Sequence, residues 1–163
     1  QAGVSFDSLT ELIEAAGGYQ LRLVGWKQEA APGVAPVLEM SPDAELRCLR
    51  GLLLRDGHKV ARTTMYFHPS VGDRLELGDF DDPVVFRVLQ RKLGVTIADV
   101  RMTVWADLAT AEDAAQLGCA PNSAMFCTRL LFRNDAGLPF EVTYSRFPAA
   151  LHRLAFRIDV NNG

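Results

Sequence analysis

Three histidines, His58, His68 and His152, and three cysteines, Cys48, Cys119 and Cys127, are the side chains from which a metal centre or a thiol nucleophile would be built. The histidines show no HxH, HxxxH or HExxH spacing and no cysteines form a CxxC pair, so neither a zinc site nor a disulfide framework has support. An odd number of thiols suits a reducing cytoplasm. Cys48 and Cys127 fall in β-like runs and read as small core residues. The aspartates Asp79, Asp81 and Asp82 lack a second carboxylate group at metal-loop spacing, and Asp82 reads as a helix cap. No glycine-rich phosphate loop opens a helix and no GxSxG elbow occurs. The expectation is therefore no catalytic residue, no metal and no cofactor.

Composition points to a single globular unit. The chain has 163 residues, 48% hydrophobic and 23% charged, with a formal net charge of -3. That is globular composition, sized for a single domain over 1–163. No apolar run approaches the roughly 20 residues that span a bilayer, so no membrane partner is expected. The acidic balance, without a basic patch carrying aromatics, argues against direct nucleic-acid binding. The chain begins at Gln1 with neither Met nor a signal sequence, and reads as a trimmed piece.

The elements that must position any site come in two copies. Offset by 79, the sequence matches itself at twelve of the 48 positions from 22 to 69, including Trp26 with Trp105, Cys48 with Cys127 and Thr64 with Thr143. Random pairing gives roughly three or four such matches, so the pattern predicts one domain with pseudo-twofold symmetry. In the first half, Ser8 to Glu11 is a capping box opening a helix over Leu9–Ala16. Strands are expected over Tyr19–Lys27, Leu46–Leu54 and Lys59–Phe67, with a loop containing at most one helical turn between Gln28 and Pro42. In the second half, Asp82 caps and Pro83 starts a helix to Leu93; Ala111–Leu117 is a second helix, closed by Gly118. Its strands are Thr96–Ala106, Ala124–Arg133 and Leu138–Phe147. Hairpin-joined strands beside separate helices give an α+β fold with an antiparallel sheet. The turns 55–58 and 134–137 need not align, and a slip of one residue would reverse the faces of a returning strand. Trp26 and Trp105 read as paired core residues.

The segments LRCLRGLLLRDGHKV, FDDPVVFRVLQRKLGVTI, ATAEDAAQLG, LLFRNDAGLPFEVTYSRF and HRLAFRID, in this order, resemble the UTRA domain. This is the effector-binding part of GntR-type bacterial transcription regulators of the HutC subfamily. The resemblance implies a chorismate lyase-like fold, a small-molecule effector, a homodimer, a cytoplasmic setting, and contact with DNA only through a winged helix-turn-helix domain absent from this sequence.

It also implies a pocket. In sugar-phosphate-binding members two arginines before the first hairpin turn grip the phosphate; their positions hold Gly51 and Leu53 here. A serine and a tyrosine opening the central helix match Val84 and Phe86, and an acidic residue on the returning strand matches Thr63. A buried phosphate without charge-assisted donors is prohibitively desolvated, so the effector is not expected to be a sugar phosphate. Glu141 keeps the pocket glutamate of the closing hairpin, and Phe147 stands where that pattern has tyrosine. With Phe86, Phe147 and Leu53, this carboxylate suggests a smaller, more apolar or amine-bearing ligand. Thr63, Thr143 and Ser145 could add hydrogen bonds, and Arg62 or Arg146 a cation, if their strand faces allow. A chorismate lyase-like enzyme is the alternative, with Glu141 as acid, but it needs an arginine pair that the sequence does not offer; a ligand-free dimerisation module is a third reading.

Overall fold

A computed structural model of the protein describes residues 18–155 and 160. The helix expected over Leu9–Ala16 lies outside the described residues, as does segment 156–159 of the HRLAFRID motif. The described strands are β1 (Gln20–Ala30), β2 (Glu45–Arg55), β3 (His58–Phe67), β4 (Asp99–Leu108), β5 (Ala124–Arg133) and β6 (Pro139–Pro148). They form one antiparallel sheet in the order β1-β2-β3-β6-β5-β4. Helices α1 (Pro69–Gly72), α2 (Val85–Leu93) and α3 (Ala111–Leu117), with a 3-10 turn over Ala35–Leu38, complete the α+β architecture.

The two halves, β1-β2-β3 and β4-β5-β6, join through the central β3–β6 ladder, where Thr64 faces Tyr144. The repeat read from the sequence is thus a repeat of topology. Its offset changes at the hairpin turns. The β2–β3 turn needs two residues, Asp56 and Gly57, both at positive φ (51° and 78°), a pairing that suits the twist of adjoining strands. The β5–β6 turn is longer, and the Asn134 side chain accepts from the Ala136 and Leu138 N–H groups. Leu49 pairs with Met65, whereas Thr128, the counterpart of Leu49 at 79, pairs with Ser145, so β3 and β6 correspond at a separation of 80. Thr63, not Thr64, is the structural counterpart of Thr143.

A second slip corrects the reading of the tryptophans. β1 carries a bulge between Leu23 and Gly25, with Val24 turned out to solvent, and β4 has none. An extra residue reverses the facing of everything beyond it. Trp26 therefore lies beside Leu49 on the inner face, edge-on to Phe67 and Phe80. Trp105 pairs with Cys127 on the other face and is 38% exposed. The tryptophans do not share a core.

The inner face is covered by α2, whose buried Val85, Phe86 and Leu89 pack in one cluster with Leu49, Met65, Phe67 and Phe132. The helix starts at Val85, two residues later than expected. Asp82 still takes an open N–H there, that of Val84, and also receives Arg87.

The outer face is closed differently at its two ends. Over one end the 3-10 turn buries Ala35 and Leu38 against Leu46, Leu131 and Val142. Over the other, α3 presents Asp113, fully buried, to Arg62 of β3 and Arg146 of β6. Arg62 Nη1 donates to Oδ1 at 2.7 Å, and Arg146 donates from Nε to both oxygens at 3.1 Å. A reciprocal capping box with Thr110 fixes the same carboxylate at the start of α3. Burial opposes the charge of Asp113, but the donors from Arg146, the Thr110 backbone and Arg62 outweigh it and hold the carboxyl well below its ordinary range.

Removing this carboxylate takes the shared partner from two part-buried guanidinium groups and leaves them the more exposed carboxylates of Glu112 and Asp107. Asp113→Ala is expected to cost roughly 3 kcal/mol, read as a lower urea midpoint with unchanged slope. A variant within 0.5 kcal/mol of the parent, on the scale of ordinary surface changes, would mean that the tie carries little of the fold.

Candidate functional site

Alternation along β6 sends Val142, Tyr144 and Arg146 outward and Glu141, Thr143, Ser145 and Phe147 inward. The inward set forms the floor of a cavity of about 680 Å³. Pro83 to Phe86 at the start of α2 form its wall, and Ala149 to Arg153, with Tyr19 and Arg55, ring the mouth.

Strand register arranges the floor in bands. Glu141 is flanked by Phe67 on β3 and Phe132 on β5. Thr143 lies between Met65 and Leu130, and Ser145 between Thr63 and Thr128, a row of three hydroxyls. The Phe86 ring packs on Phe132 with centroids 5.6 Å apart. At the other end Phe147 stacks on His152 at 3.9 Å, nearly parallel. Burial, and secondarily the charge of Arg55, lower the pKa of His152.

Among the described residues Glu141 is the one acidic side chain lining this cavity, and it is 1% exposed. Thr143 Oγ1 donates to its Oε1 at 3.2 Å, while Oε2 has no hydrogen-bond partner among the described residues. Ser145 Oγ donates instead to Thr63 Oγ1 at 3.1 Å. Burial pushes the Glu141 carboxyl up to about 8, offset only by the Thr143 bond. Among the described residues no three His, Cys, Asp or Glu side chains converge as a metal cage.

The structure brings together eight of the residues singled out in the sequence: Leu53, Thr63, Val84, Phe86, Glu141, Thr143, Ser145 and Phe147. Gly51 is not among them. A side chain there would meet Leu21 Cδ1 at 2.5 Å and the Arg22 carbonyl at 2.9 Å, so neighbouring β1 already occupies that space. Arg62 and Arg146 are also outside, because their strand face is the outer one and Asp113 engages both. The sequence reading missed Tyr19, Arg55, Met102, Thr128, Leu130, Phe132, His152 and Arg153. Thr128, Leu130 and Phe132 carried a usable signal, since they alternate on one face of β5. His152 and Arg153 carried none, being brought in by the chain that follows β6.

The UTRA domain family model matches residues 18–153. No curated protein sequence matches the chain. Solved structures do. A possible transcriptional regulator, YydK from Bacillus subtilis, aligns with a TM-score of 0.82 at 14% identity, over 98% of this chain and 69% of that one. The effector domain of PhnF from Mycobacterium smegmatis aligns at 0.76 and 20% identity, over 97% and 98%. A GntR-family transcriptional regulator from Enterococcus faecalis aligns at 0.76 and 16% identity, over 85% and 100%. These likenesses establish a common fold.

The environment of Glu141 has a measurable consequence. A glutamate ordinarily releases its proton near 4.5, and here it holds it to about 8. Between those values the unfolded chain binds fewer protons, so stability falls as pH rises, by about 1.4 kcal/mol per pH unit. Glu141→Gln keeps the shape and removes the titration. The melting temperature of the parent should drop below that of the variant by a margin that widens from pH 5 to pH 8. Parallel profiles would show that the carboxyl is not held in this way.

Proposed function

The chain belongs to the UTRA domain family, and from that premise we propose that it is the effector-sensing domain of a bacterial transcription regulator. The observation that carries this reading is the inner-face cavity, whose polar groups converge on its floor while its walls are apolar. An effector seated there touches both halves of the sheet at once, through Thr63 and Met65 on one side and Thr128 and Leu130 on the other. It can therefore favour one arrangement of the halves, which is the differential affinity that control of a distant site requires. DNA is reached through an attached winged helix-turn-helix domain of the HutC type. A homodimer in the cytoplasm fits paired operator half-sites.

The same residues speak against a sugar phosphate. Gly51 and Leu53 place no cation on the floor, and Arg55 and Arg153 are exposed at the mouth. They speak against a lyase as well. Glu141 and Phe147 are six residues apart on β6, about 20 Å at a rise of about 3.4 Å per residue, so the acid and the mouth arginines stand at opposite ends of the cavity.

A metabolite that raises the melting temperature of this chain should also change the operator affinity of the full regulator, and Glu141→Ala should weaken both effects. A binding metabolite without influence on operator affinity would remove the sensing role. N-acetylglucosamine 6-phosphate should bind no better than inorganic phosphate. Formation of 4-hydroxybenzoate from chorismate would establish the enzyme in place of the sensor.

A further inference from the structure

A carboxyl group buried among apolar side chains needs an explanation, since one of its oxygens has no donor among the described residues. Glu141 stands between two phenylalanines in the sheet register, and a third, Phe86, packs on one of them. The faces of such rings attract cations. Among the described residues no charged group neutralises the carboxyl from the elements around it. Arg47 on β2 lies beyond Phe67 in the same row, over the Trp26 ring. Arg87 on α2 pairs with Asp82. On the neighbouring strands Arg62, Arg129 and Arg146 belong to the outer face, Arg133 reaches Glu39, and Lys59 is exposed beside the β2–β3 turn. Tyr19, Arg55, His152 and Arg153 line the far end.

We propose that the cavity recognises a protonated amine on an apolar body, the ammonium seated at Glu141 Oε2 beside Phe86 and Phe132 and the body lying along the floor toward Phe147 and His152. This rests on the sensing reading and names its ligand class. Free Glu141 holds its proton at neutral pH. Binding an ammonium therefore displaces that proton to solvent, and the carboxylate so formed is paired instead of isolated. Hydroxyls of Thr63, Thr128 and Ser145 accept or donate to any polar group further along.

The test uses three probes of one shape: 2-phenylethylamine, 2-phenylethanol and 3-phenylpropanoate. Calorimetry in two buffers of different ionisation enthalpy reads proton release directly. The amine should bind at least tenfold tighter than the alcohol or the acid at pH 7.5. It should release close to one proton at pH 7, and its affinity should rise about tenfold from pH 6 to pH 7, levelling off above pH 8. Glu141→Gln, which does not introduce a charge, should abolish the proton release and the preference for the amine. Thermal melting at pH 8 confirms that the variant is folded. Amine binding without proton release, or an unchanged preference in the variant, would overturn the proposal. Cavity binding by the alcohol or acid but not the amine would overturn the ligand class and leave the sensing reading standing. Silence of all three probes would equally overturn the ammonium assignment, while the operator experiment decides the sensing role separately.

Discussion

The pairing of β3 with β6 is the constraint on which the rest of the molecule depends. It joins two three-stranded halves into one sheet and fixes which side chains of both strands share a face. Because strand side chains alternate with a period of two, one register assigns both surfaces at once. Glu141, Thr143 and Ser145 turn inward against Phe67, Met65 and Thr63, while Arg62 and Arg146 turn outward together. A shift by one residue would bury the guanidinium groups in the cavity and expose its floor.

The two faces solve opposite problems with neighbouring residues. Outside, Arg62 and Arg146 share Asp113 and pair in addition with Glu112 and Asp107, and α3 is held by these ion pairs together with its own capping box. At the equivalent place in the first half the chain buries alanine and leucine instead, so the repeated scaffold accepts either kind of contact. Inside, Glu141 Oε2 has no donor among the described residues, where hydrophobic packing alone would have been more stable. Burying such a group without a partner costs free energy in the free protein, and a ligand that supplies the partner recovers it. That is an economical way to couple occupancy of the cavity to the arrangement of the two halves.

Much of the scaffold was legible before any coordinates. The hairpin turn at Asp56-Gly57, the stop at Gly118 and the alternation of β2, β5 and β6 are local signals, read by backbone sterics over a few residues. The floor residues on β3 and β6 were legible too, through their resemblance to a known pocket. Illegible were the features that depend on counting residues between elements. The bulge at Val24 sends Trp26 and Trp105 to opposite faces although their sequence positions match. The longer β5–β6 turn moves the correspondence of β3 and β6 from 79 to 80.

By itself, then, the sequence determined the class of fold, the duplication, the family and the absence of a phosphate-gripping arginine at positions 51 and 53. The fold class and the duplication follow from local periodicity and residue type, and the family and the reading of positions 51 and 53 from the resemblance of ordered motifs. Only the tertiary structure decided that Arg62 and Arg146 serve Asp113 and not a ligand, that Leu21 fills the space beside Gly51, and that Glu141 is isolated among aromatic rings. Each of these depends on which strands become neighbours and in what register. That is set by contacts between residues some 80 positions apart, where no local pattern reaches.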